Sequence, residues 1–139
     1  MRIGTDLVEI GRIERALARR GSRFLGRLLT PAERKAIAGR GAAKRRVAER
    51  VGGRFAAKEA VLKLLGTGWG GGLGWRDVEI LDTPGALRGG EPRSGEPRVR
   101  LSAKAARRAR TRGVRGVALS ISHEANFALA VAVSTGRPS

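Results

Sequence analysis

A long amphipathic helix is predicted over residues 42–65, and it constrains the fold more than any other stretch of the sequence. Its apolar residues recur at spacings of four and seven and form one stripe, which comprises Val47, Val51, Phe55 and Leu62. Gly52 and Gly53 lie inside this helix, although an interior glycine costs roughly 1 kcal/mol relative to alanine. Either the helix is interrupted there or another element packs closely against its backbone, and we expect the close packing.

Apolar, β-branched segments lie near both ends of the chain, and two alternating segments lie between them. The predicted strands cover residues 3–10, 77–81, 98–101, 117–122 and 127–133. The second and third strands are typical of a hairpin, and the last two form a pair around a short turn. The long link Thr83–Pro97 is rich in proline and glycine, so we expect it to be a mobile surface excursion rather than a functional lid.

Shorter helices are expected between these strands. The helix after the first strand should end at Gly21. The segment Thr30–Glu33 combines an N-cap hydroxyl, a proline at the first helical position and the glutamate of a capping box, so a helix should begin there. It is expected to break between Gly39 and Gly41. Ser102 can cap a short basic helix before the last pair of strands.

The composition excludes several classes of function. Cysteine is absent, which rules out a disulfide framework, a thiolate metal site and a thiol nucleophile. The 139 residues are one domain's length, so we expect a single domain over residues 1–139. No stretch reaches the ~20 apolar residues that span a bilayer, and we expect a cytoplasmic protein without a signal peptide or membrane anchor.

The charge balance indicates an anionic partner. The chain has 29 lysines and arginines against 12 acidic residues, which gives a net charge of +17. Such a field attracts phosphates and acidic proteins, but it does not distinguish between them. Nucleic acid, coenzyme phosphates and an acidic protein all remain open on this observation alone.

The segment Gly53–Lys63 contains the densest mixture of polar and apolar residues. At 100° per residue, Glu59 and Lys63 fall on one flank of the apolar stripe, whereas Arg54 and Lys58 fall on the other. A helix edge with one carboxylate and several cations could hold a metal ion beside a polyphosphate. The same residues could instead form solvated salt bridges worth a few tenths of a kcal/mol.

Two further polar residues are candidates. Asp6 lies on an otherwise apolar predicted strand, so its carboxylate is either solvated or directed into a site. His123 is the only histidine and cannot be half of a two-histidine zinc site. At its turn, His123 either has a structural role or contacts a phosphate or a base.

Three segments, taken in order, resemble the motif blocks of holo-acyl carrier protein synthases, which are small bacterial 4′-phosphopantetheinyl transferases. The first is Gly4–Ile10 with Arg12, the second is Arg54–Ala60 with Gly66–Gly68, and the third is Ser120–His123. Connecting segments are similar as well, so that the resemblance covers roughly residues 3–133.

This resemblance implies an α+β fold with antiparallel strands packed on a long helix, assembled as a homotrimer with coenzyme A in clefts between subunits. The implied reaction is the Mg²⁺-dependent transfer of 4′-phosphopantetheine from coenzyme A to a serine of apo-acyl carrier protein, which releases adenosine 3′,5′-bisphosphate. Asp6 and Glu59 match the metal ligands, and Mg²⁺ prefers such oxygen ligands completed by phosphate and water.

The catalytic residues implied by the resemblance are Glu59, Lys63 and Lys58. The lysines would stabilise charge on the phosphoryl and leaving oxygens, and either Glu59 or a metal-bound water would accept the serine proton. The positions similar to coenzyme A ligands are Arg45, Arg46, Arg54, Lys58, Lys63, Gly66, Ser122 and His123. Those similar to the carrier-protein surface are Arg12, Arg19, Arg23 and Arg27. Glu124 departs from the family pattern, since many members have a hydroxyl residue after the histidine.

Two other functions compete with this interpretation. A small RNA- or ribosome-associated protein would explain the charge, but aromatic residues make up only 4% of the chain and tyrosine is absent, so stacking rings are scarce. A non-catalytic trimer that binds carrier proteins would have lost Asp6 or Glu59, and both are present. We therefore expect coenzyme A and apo-acyl carrier protein as partners, and neither nucleic acid nor a membrane.

Overall fold

The computed structural model describes residues 1–38, 43–67, 71–88 and 91–136, with only the backbone described for residues 84–88 and 91–94. Its strands are β1 (Ile3–Glu9), β2 (Val78–Arg88), β3 (Glu91–Leu101), β4 (Gly116–Glu124) and β5 (Phe127–Thr135). Its helices are α1 (Ile10–Leu28), α2 (Pro31–Ala38), α3 (Lys44–Leu64) and α4 (Ala103–Thr111), with a 3₁₀ turn at Trp75–Asp77. None of the helices in these ranges is long and apolar enough to cross a bilayer.

A three-stranded antiparallel sheet in the order β1-β5-β4 packs on the long helix α3. Alternate residues of β5 face the helix, and these are the fully buried Ala128, Ala130 and Ala132. On β1 the helix-facing Gly4 leaves no room for a side chain, because a Cβ atom there would lie 1.9 Å from the Ala60 carbonyl oxygen. These small residues let the helix and the sheet pack closely, and the predicted α+β fold is confirmed.

The close packing predicted at Gly52 and Gly53 is also confirmed, because α3 runs unbroken through both glycines. A Cβ atom on Gly52 would lie 2.8 Å from Ile10 Cδ1, and one on Gly53 would lie 3.0 Å from His123 Nε2. The start of α1 therefore occupies the space beside one glycine, and β4 occupies the space beside the other.

The predicted helix caps are present. The Thr30 hydroxyl accepts the Glu33 backbone N–H at 3.3 Å, and Glu33 Oε1 accepts the Thr30 N–H at 2.8 Å, which is a capping box for α2. Ser102 caps α4 by accepting the Ala105 N–H at 3.1 Å. Helix α2 ends at Ala38, and the break expected at residues 39–41 lies outside the described residues.

The predicted end of the first helical segment at Gly21 is confirmed, but the second segment that follows it was not predicted. The backbone leaves the helical region at this glycine (φ 19°, ψ −100°), and the chain then resumes a helix as far as Leu28. The partly buried Phe24 and Leu25 pack against the core beyond the glycine, so that burial continues past the kink. Gly21 therefore separates two helical segments by a kink, and the packing of Phe24 and Leu25 supports the second segment.

The strands on either side of Thr83–Pro97 are longer than predicted, because described residues of this segment are paired, whereas its predicted mobility stays a prediction. Strands β2 and β3 stay paired through it, with Pro84 opposite Ser94 and Arg88 opposite Glu91, and the register shifts between these pairs. Each strand of this two-stranded sheet has one unpaired edge, so a proline can point its missing N–H away from the partner strand. Proline and glycine thus mark irregularities of a long hairpin.

The face of the three-stranded sheet that points away from α3 is apolar and exposed. Its large residues Ile3, Leu7, Phe127 and Leu129 keep 60%, 61%, 45% and 42% of their surface accessible. They lie on neighbouring strands, since Leu7 pairs with Leu129 in the β1-β5 ladder. A contiguous apolar patch of this kind is typical of an interaction surface.

Candidate functional site

Asp6 and Lys63 meet where β1 crosses α3. The Lys63 Nζ atom donates to Asp6 Oδ1 at 3.1 Å and to the Thr5 carbonyl oxygen at 3.0 Å. The Asp6 side chain keeps only 17% of its surface accessible, whereas Lys63 keeps 55%. The carboxylate is therefore largely shielded from solvent, whereas the lysine that contacts it is about half exposed.

Glu59 lies close to Asp6 and Lys63, because β1 runs along the surface of α3. Gly4 lies against Ala60, and Val8 lies against the helix about two turns earlier, at Gly52. Lys63, which contacts Asp6 from one helical turn beyond Glu59, lies on the same flank of α3 as Glu59, so Glu59 is near Asp6. We call Asp6, Glu59 and Lys63 the carboxylate half-site.

Trp75 contacts Glu59 and was not predicted from the sequence. Its indole Nε1 donates to Glu59 Oε1 at 2.9 Å, and its ring lies 5.5 Å from the Phe55 ring, centroid to centroid, at an angle of 50°. A partly buried tryptophan needs an acceptor for its N–H, which is the one signal that could have drawn attention to it. That signal does not say which residue accepts.

The 3₁₀ turn that carries Trp75 is fixed by Asp77. The Asp77 carboxylate accepts the Gly74 N–H at 2.8 Å and the Ser102 hydroxyl at 2.7 Å. Burial acts to raise the pKa of Asp77, but these two hydrogen bonds and the positive charge of Lys104 together hold the pKa below its usual value. The carboxylate therefore stays ionised in neutral solution and anchors the turn.

The carboxylate half-site suits a hard divalent cation that takes most of its ligands from elsewhere. Within the described ranges, no group of three or more histidine, cysteine, aspartate or glutamate side chains could hold a metal ion by itself. Asp6 and Glu59 are two carboxylates, and Mg²⁺ is commonly bound by one or two carboxylates together with water and phosphate oxygens. The residues therefore fit such an ion only if a phosphate ligand accompanies it.

Arg54 lies on the other flank of α3, at a cavity of about 520 Å³. Its side chain is 12% exposed, and Nη2 lies 3.6 Å from Asp82 Oδ2. Its Nε atom is buried and has no hydrogen-bond partner among the described residues. A buried donor without a partner costs about 1–3 kcal/mol, so this cavity suits an anionic ligand such as a phosphate.

His123 lines the same cavity, and with Arg54 it forms what we call the arginine half-site. His123 Nε2 lies 2.9 Å from the Glu49 carbonyl oxygen, which can only accept, so Nε2 carries a proton. The segment Gly95–Pro97, expected to belong to a mobile excursion, forms another wall of the cavity as part of β3.

The two half-sites lie apart within one subunit. Asp6 is on β1 and pairs with Ala130 of β5, which pairs in turn with Ile121 of β4, a residue that lines the arginine half-site. Ordinary strand spacing puts about 10 Å between the backbones of the two outer strands. Among the described residues, the cavity at the arginine half-site is not lined by any member of the carboxylate half-site.

The chain that contains these two half-sites also matches known proteins. Residues 2–131 match the model of the 4′-phosphopantetheinyl transferase superfamily. The chain belongs to this superfamily. The resemblance deduced from the three motif blocks is thereby confirmed, and with it the expectation of a transferase.

Relatives in the superfamily match almost the whole chain. A holo-[acyl-carrier-protein] synthase of Desulforudis audaxviator is 48% identical over 134 residues, which are 96% of this chain and 92% of that protein. The crystal structure of the Helicobacter pylori synthase in complex with coenzyme A gives a TM-score of 0.75 at 32% identity, covering 96% of this chain and 99% of that one. The Bacillus anthracis synthase in complex with coenzyme A (3′,5′-ADP) gives 0.69 at 35% identity, covering 96% and 94%.

Four residues of this transferase that were predicted to bind coenzyme A lie outside both half-sites. They are Arg45, Arg46, Gly66 and Ser122. Arg45 forms ion pairs with Glu14 and, at 3.4 Å, with Glu49, and it donates to Asn126 Oδ1 at 2.9 Å, so it ties α3 to α1 and to the β4-β5 turn. The other three are exposed at the surface. Their role in binding stays a prediction.

Lys58 does not fit the role predicted for it. Its side chain is fully buried, and Nζ donates to Glu33 Oε1 at 2.6 Å, to the Val78 carbonyl at 2.7 Å and to the Trp75 carbonyl at 3.0 Å. Burial lowers its pKa, although the hydrogen bond and the charge of Glu33 act in the opposite direction. An ammonium group has three donors, all used here, so the assignment of Lys58 as a catalytic and coenzyme-binding residue is wrong. Helical periodicity placed it on a flank but did not give its depth.

We expect Lys58→Met to lower the free energy of unfolding by about 3–5 kcal/mol, because the buried Glu33 carboxylate would lose its counter-charge. Urea denaturation followed by circular dichroism measures the change. Adding Glu33→Gln should restore part of the loss, since it removes the unpaired charge and keeps an acceptor for one of the two N–H groups, of Thr30 and Ile80, that the two carboxylate oxygens accept. A Lys58→Met protein as stable as the wild type and yet inactive would contradict the structural role.

The arginines predicted to bind the carrier protein line one groove along α1. Its cavity measures about 510 Å³, and its arginines are Arg12, Arg15, Arg19, Arg20, Arg23 and Arg27. Four of these were predicted from the sequence, whereas Arg15 and Arg20 were missed. Phe24 and Trp75 provide apolar surface in the same groove. We call this surface the arginine groove.

Proposed function

We propose that the chain is a holo-acyl carrier protein synthase, which transfers 4′-phosphopantetheine from coenzyme A to a serine of apo-acyl carrier protein and releases adenosine 3′,5′-bisphosphate. One observation carries this proposal: α3 holds a carboxylate half-site on one flank and an anion-binding arginine half-site on the other. The first suits a metal ion with a pyrophosphate, and the second suits a further phosphate. Coenzyme A contains both groups in one molecule.

At the carboxylate half-site, Asp6 and Glu59 would hold Mg²⁺, which would supply positive charge to neutralise the pyrophosphate. Lys63 adds a positive charge beside Asp6, where it stabilises the oxygens that gain charge as the serine oxygen attacks the β-phosphorus and the adenosine bisphosphate leaves. The serine proton passes to Glu59 or to water.

At the arginine half-site, Arg54 and His123 bind the adenosine 3′-phosphate end. Support comes from the buried Arg54 Nε, which has no partner among the described residues, and from a cavity lined by both side chains. A guanidinium group suits a phosphate because its N–H groups match the spacing of two phosphate oxygens.

The active unit in this proposal is a homotrimer in the cytoplasm, in which the carboxylate half-site of one subunit faces the arginine half-site of its neighbour. Two observations support the assembly. The half-sites lie at opposite edges of one sheet, and the outer face of that sheet exposes Ile3, Leu7, Phe127 and Leu129. A ring of subunits would bury this face and bring complementary half-sites together.

The arginine groove receives the acidic surface of the carrier protein. Its six guanidinium groups attract acidic side chains, and Phe24 and Trp75 offer apolar contact between them. Trp75 lines the groove and also donates a hydrogen bond to Glu59 of the carboxylate half-site. A carrier bound in the groove therefore lies next to Glu59.

The test is direct. The purified protein is incubated with coenzyme A, Mg²⁺ and an apo-acyl carrier protein, and the carrier is weighed by mass spectrometry. We expect the carrier to gain the mass of one phosphopantetheine arm, and to gain nothing when its acceptor serine is replaced by alanine. An unchanged carrier mass at saturating substrates would contradict the proposed reaction.

Arg12→Ala should raise the KM for the carrier protein by about 2- to 5-fold and leave the KM for coenzyme A nearly unchanged, because one exposed charge acts mainly on association. Wild-type transfer should weaken with added salt, since exposed charges are screened beyond ~8 Å at physiological ionic strength. Steady-state kinetics at several salt concentrations measures both effects. Arg98→Ala removes an exposed charge outside the groove and should change neither KM. Equal losses for both substrates in Arg12→Ala would argue against a carrier-binding groove.

A further inference from the structure

Trp75 lies between the arginine groove and the carboxylate half-site. We infer that Trp75 is a positioning residue: its indole N–H holds Glu59 in the orientation that binds the metal ion, while its ring forms part of the surface that receives the carrier protein. This inference rests on the proposed function and adds to it a residue that the motif blocks do not contain.

The first step is the contact with Glu59. The indole Nε1 donates to Oε1 at 2.9 Å, which leaves Oε2 to face a metal ion. A glutamate side chain has three rotatable bonds, so a carboxylate without such a partner would sample several orientations. Hydrogen bonds from outside the ligand shell commonly fix metal-binding carboxylates in this way.

The second step is that the indole is itself held in place. Its ring packs against Phe55, and its backbone carbonyl accepts the buried Lys58 ammonium at 3.0 Å. The turn that carries it is capped by the Asp77 carboxylate. A donor restrained on several sides can restrain its acceptor, and the buried Lys58 thereby supports the site without touching a substrate.

The third step is that the two roles of Trp75 can be separated. The N–H serves Glu59, and the ring surface serves the groove, where it lies beside Phe24 and the arginines. Trp75→Phe keeps an aromatic ring and loses only the donor. Trp75→Ala loses both the donor and the apolar surface.

The experiment measures Mn²⁺ binding to the protein with coenzyme A by electron paramagnetic resonance, together with transfer kinetics. For Trp75→Phe we expect Mn²⁺ affinity about 10-fold weaker, a near-normal KM for the carrier, and transfer that recovers as Mg²⁺ is raised. For Trp75→Ala we expect the same metal defect and, in addition, a raised carrier KM. Arg76→Ala is the control, because it changes an exposed side chain on the same turn, leaves the indole donor to Glu59 and its packing in place, and should keep normal Mn²⁺ affinity.

Normal Mn²⁺ affinity in a folded Trp75→Phe protein would overturn the inference. If that variant does not fold, β-(3-benzothienyl)alanine at position 75 decides the question, since it replaces only the N–H by sulfur, and normal Mn²⁺ affinity with it would be equally decisive. Failure of the proposed function has a different signature, because the wild-type protein would then not modify the carrier at all.

Discussion

Alanine at Glu59 is expected to lower the rate of phosphopantetheine transfer by about 100-fold or more, and alanine at Asp6 should have a similar effect. Each residue is one of two carboxylates at the half-site, and among the described residues no third acidic or histidine side chain completes a metal-binding group. In the proposed mechanism, losing either one would remove much of the negative charge available to hold Mg²⁺ at the pyrophosphate. Electrostatic stabilisation of the reacting phosphoryl group accounts for a large share of the rate enhancement in such reactions.

Both variants should remain folded, because neither side chain lies in the buried core. Circular dichroism and light scattering check the fold and the assembly, and Mn²⁺ titration checks that metal affinity falls together with the rate. Glu124→Ala is the matched control, since it removes an exposed carboxylate outside the half-site and should transfer normally. A Glu59→Ala enzyme with normal turnover would exclude Glu59 as a metal ligand.

Local patterns were sufficient to predict most of the secondary structure. The capping box at Thr30 and Glu33, the cap at Ser102 and the glycine pair inside α3 each depend on a few neighbouring residues, and the structure confirms all three. The hairpin β2-β3 was missed in its outer half, because proline and glycine also lower strand propensity in a two-stranded sheet where pairing still holds. Strand pairing depends on the residues of the partner strand, and the strand propensity of a single segment does not take them into account.

The prediction of single side chains in the site was limited in the same way, because it also depends on residues that are distant in the sequence. Helical periodicity correctly separated Glu59 and Lys63 from Arg54, because these residues differ in angle around one helix. It could not separate the buried Lys58 from the cavity-lining Arg54, since their depths depend on what packs over them. The contact of Trp75 with Glu59 could not be predicted, because it spans 16 residues and follows from the position of the 3₁₀ turn.

Subunit mixing is expected to restore activity between two inactive variants, Asp6→Ala and Arg54→Ala. Each variant damages one half-site and leaves the other intact, and the two half-sites lie at opposite edges of the sheet within a subunit. If each active site combines halves from two neighbours, a mixed trimer contains some sites with both halves intact. Random mixing of equal amounts gives about a quarter of all sites this composition, so transfer should reach roughly a quarter of the wild-type rate.

The measurement uses proteins that are co-expressed with different tags, purified as mixed assemblies and assayed beside each parent variant. Light scattering on the same samples should give three times the chain mass of 14.8 kDa. A double variant with both substitutions in one chain, mixed with wild type, is the control. It lowers the number of intact sites, but no site in that mixture can be assembled from the intact halves of two damaged subunits. Rescue above the sum of the two parents requires residues from different subunits in one site, because no monomer in the mixture has both half-sites intact. A fully active monomer would exclude the shared site, since a single chain would then bring Asp6 and Arg54 to the same coenzyme without a neighbour.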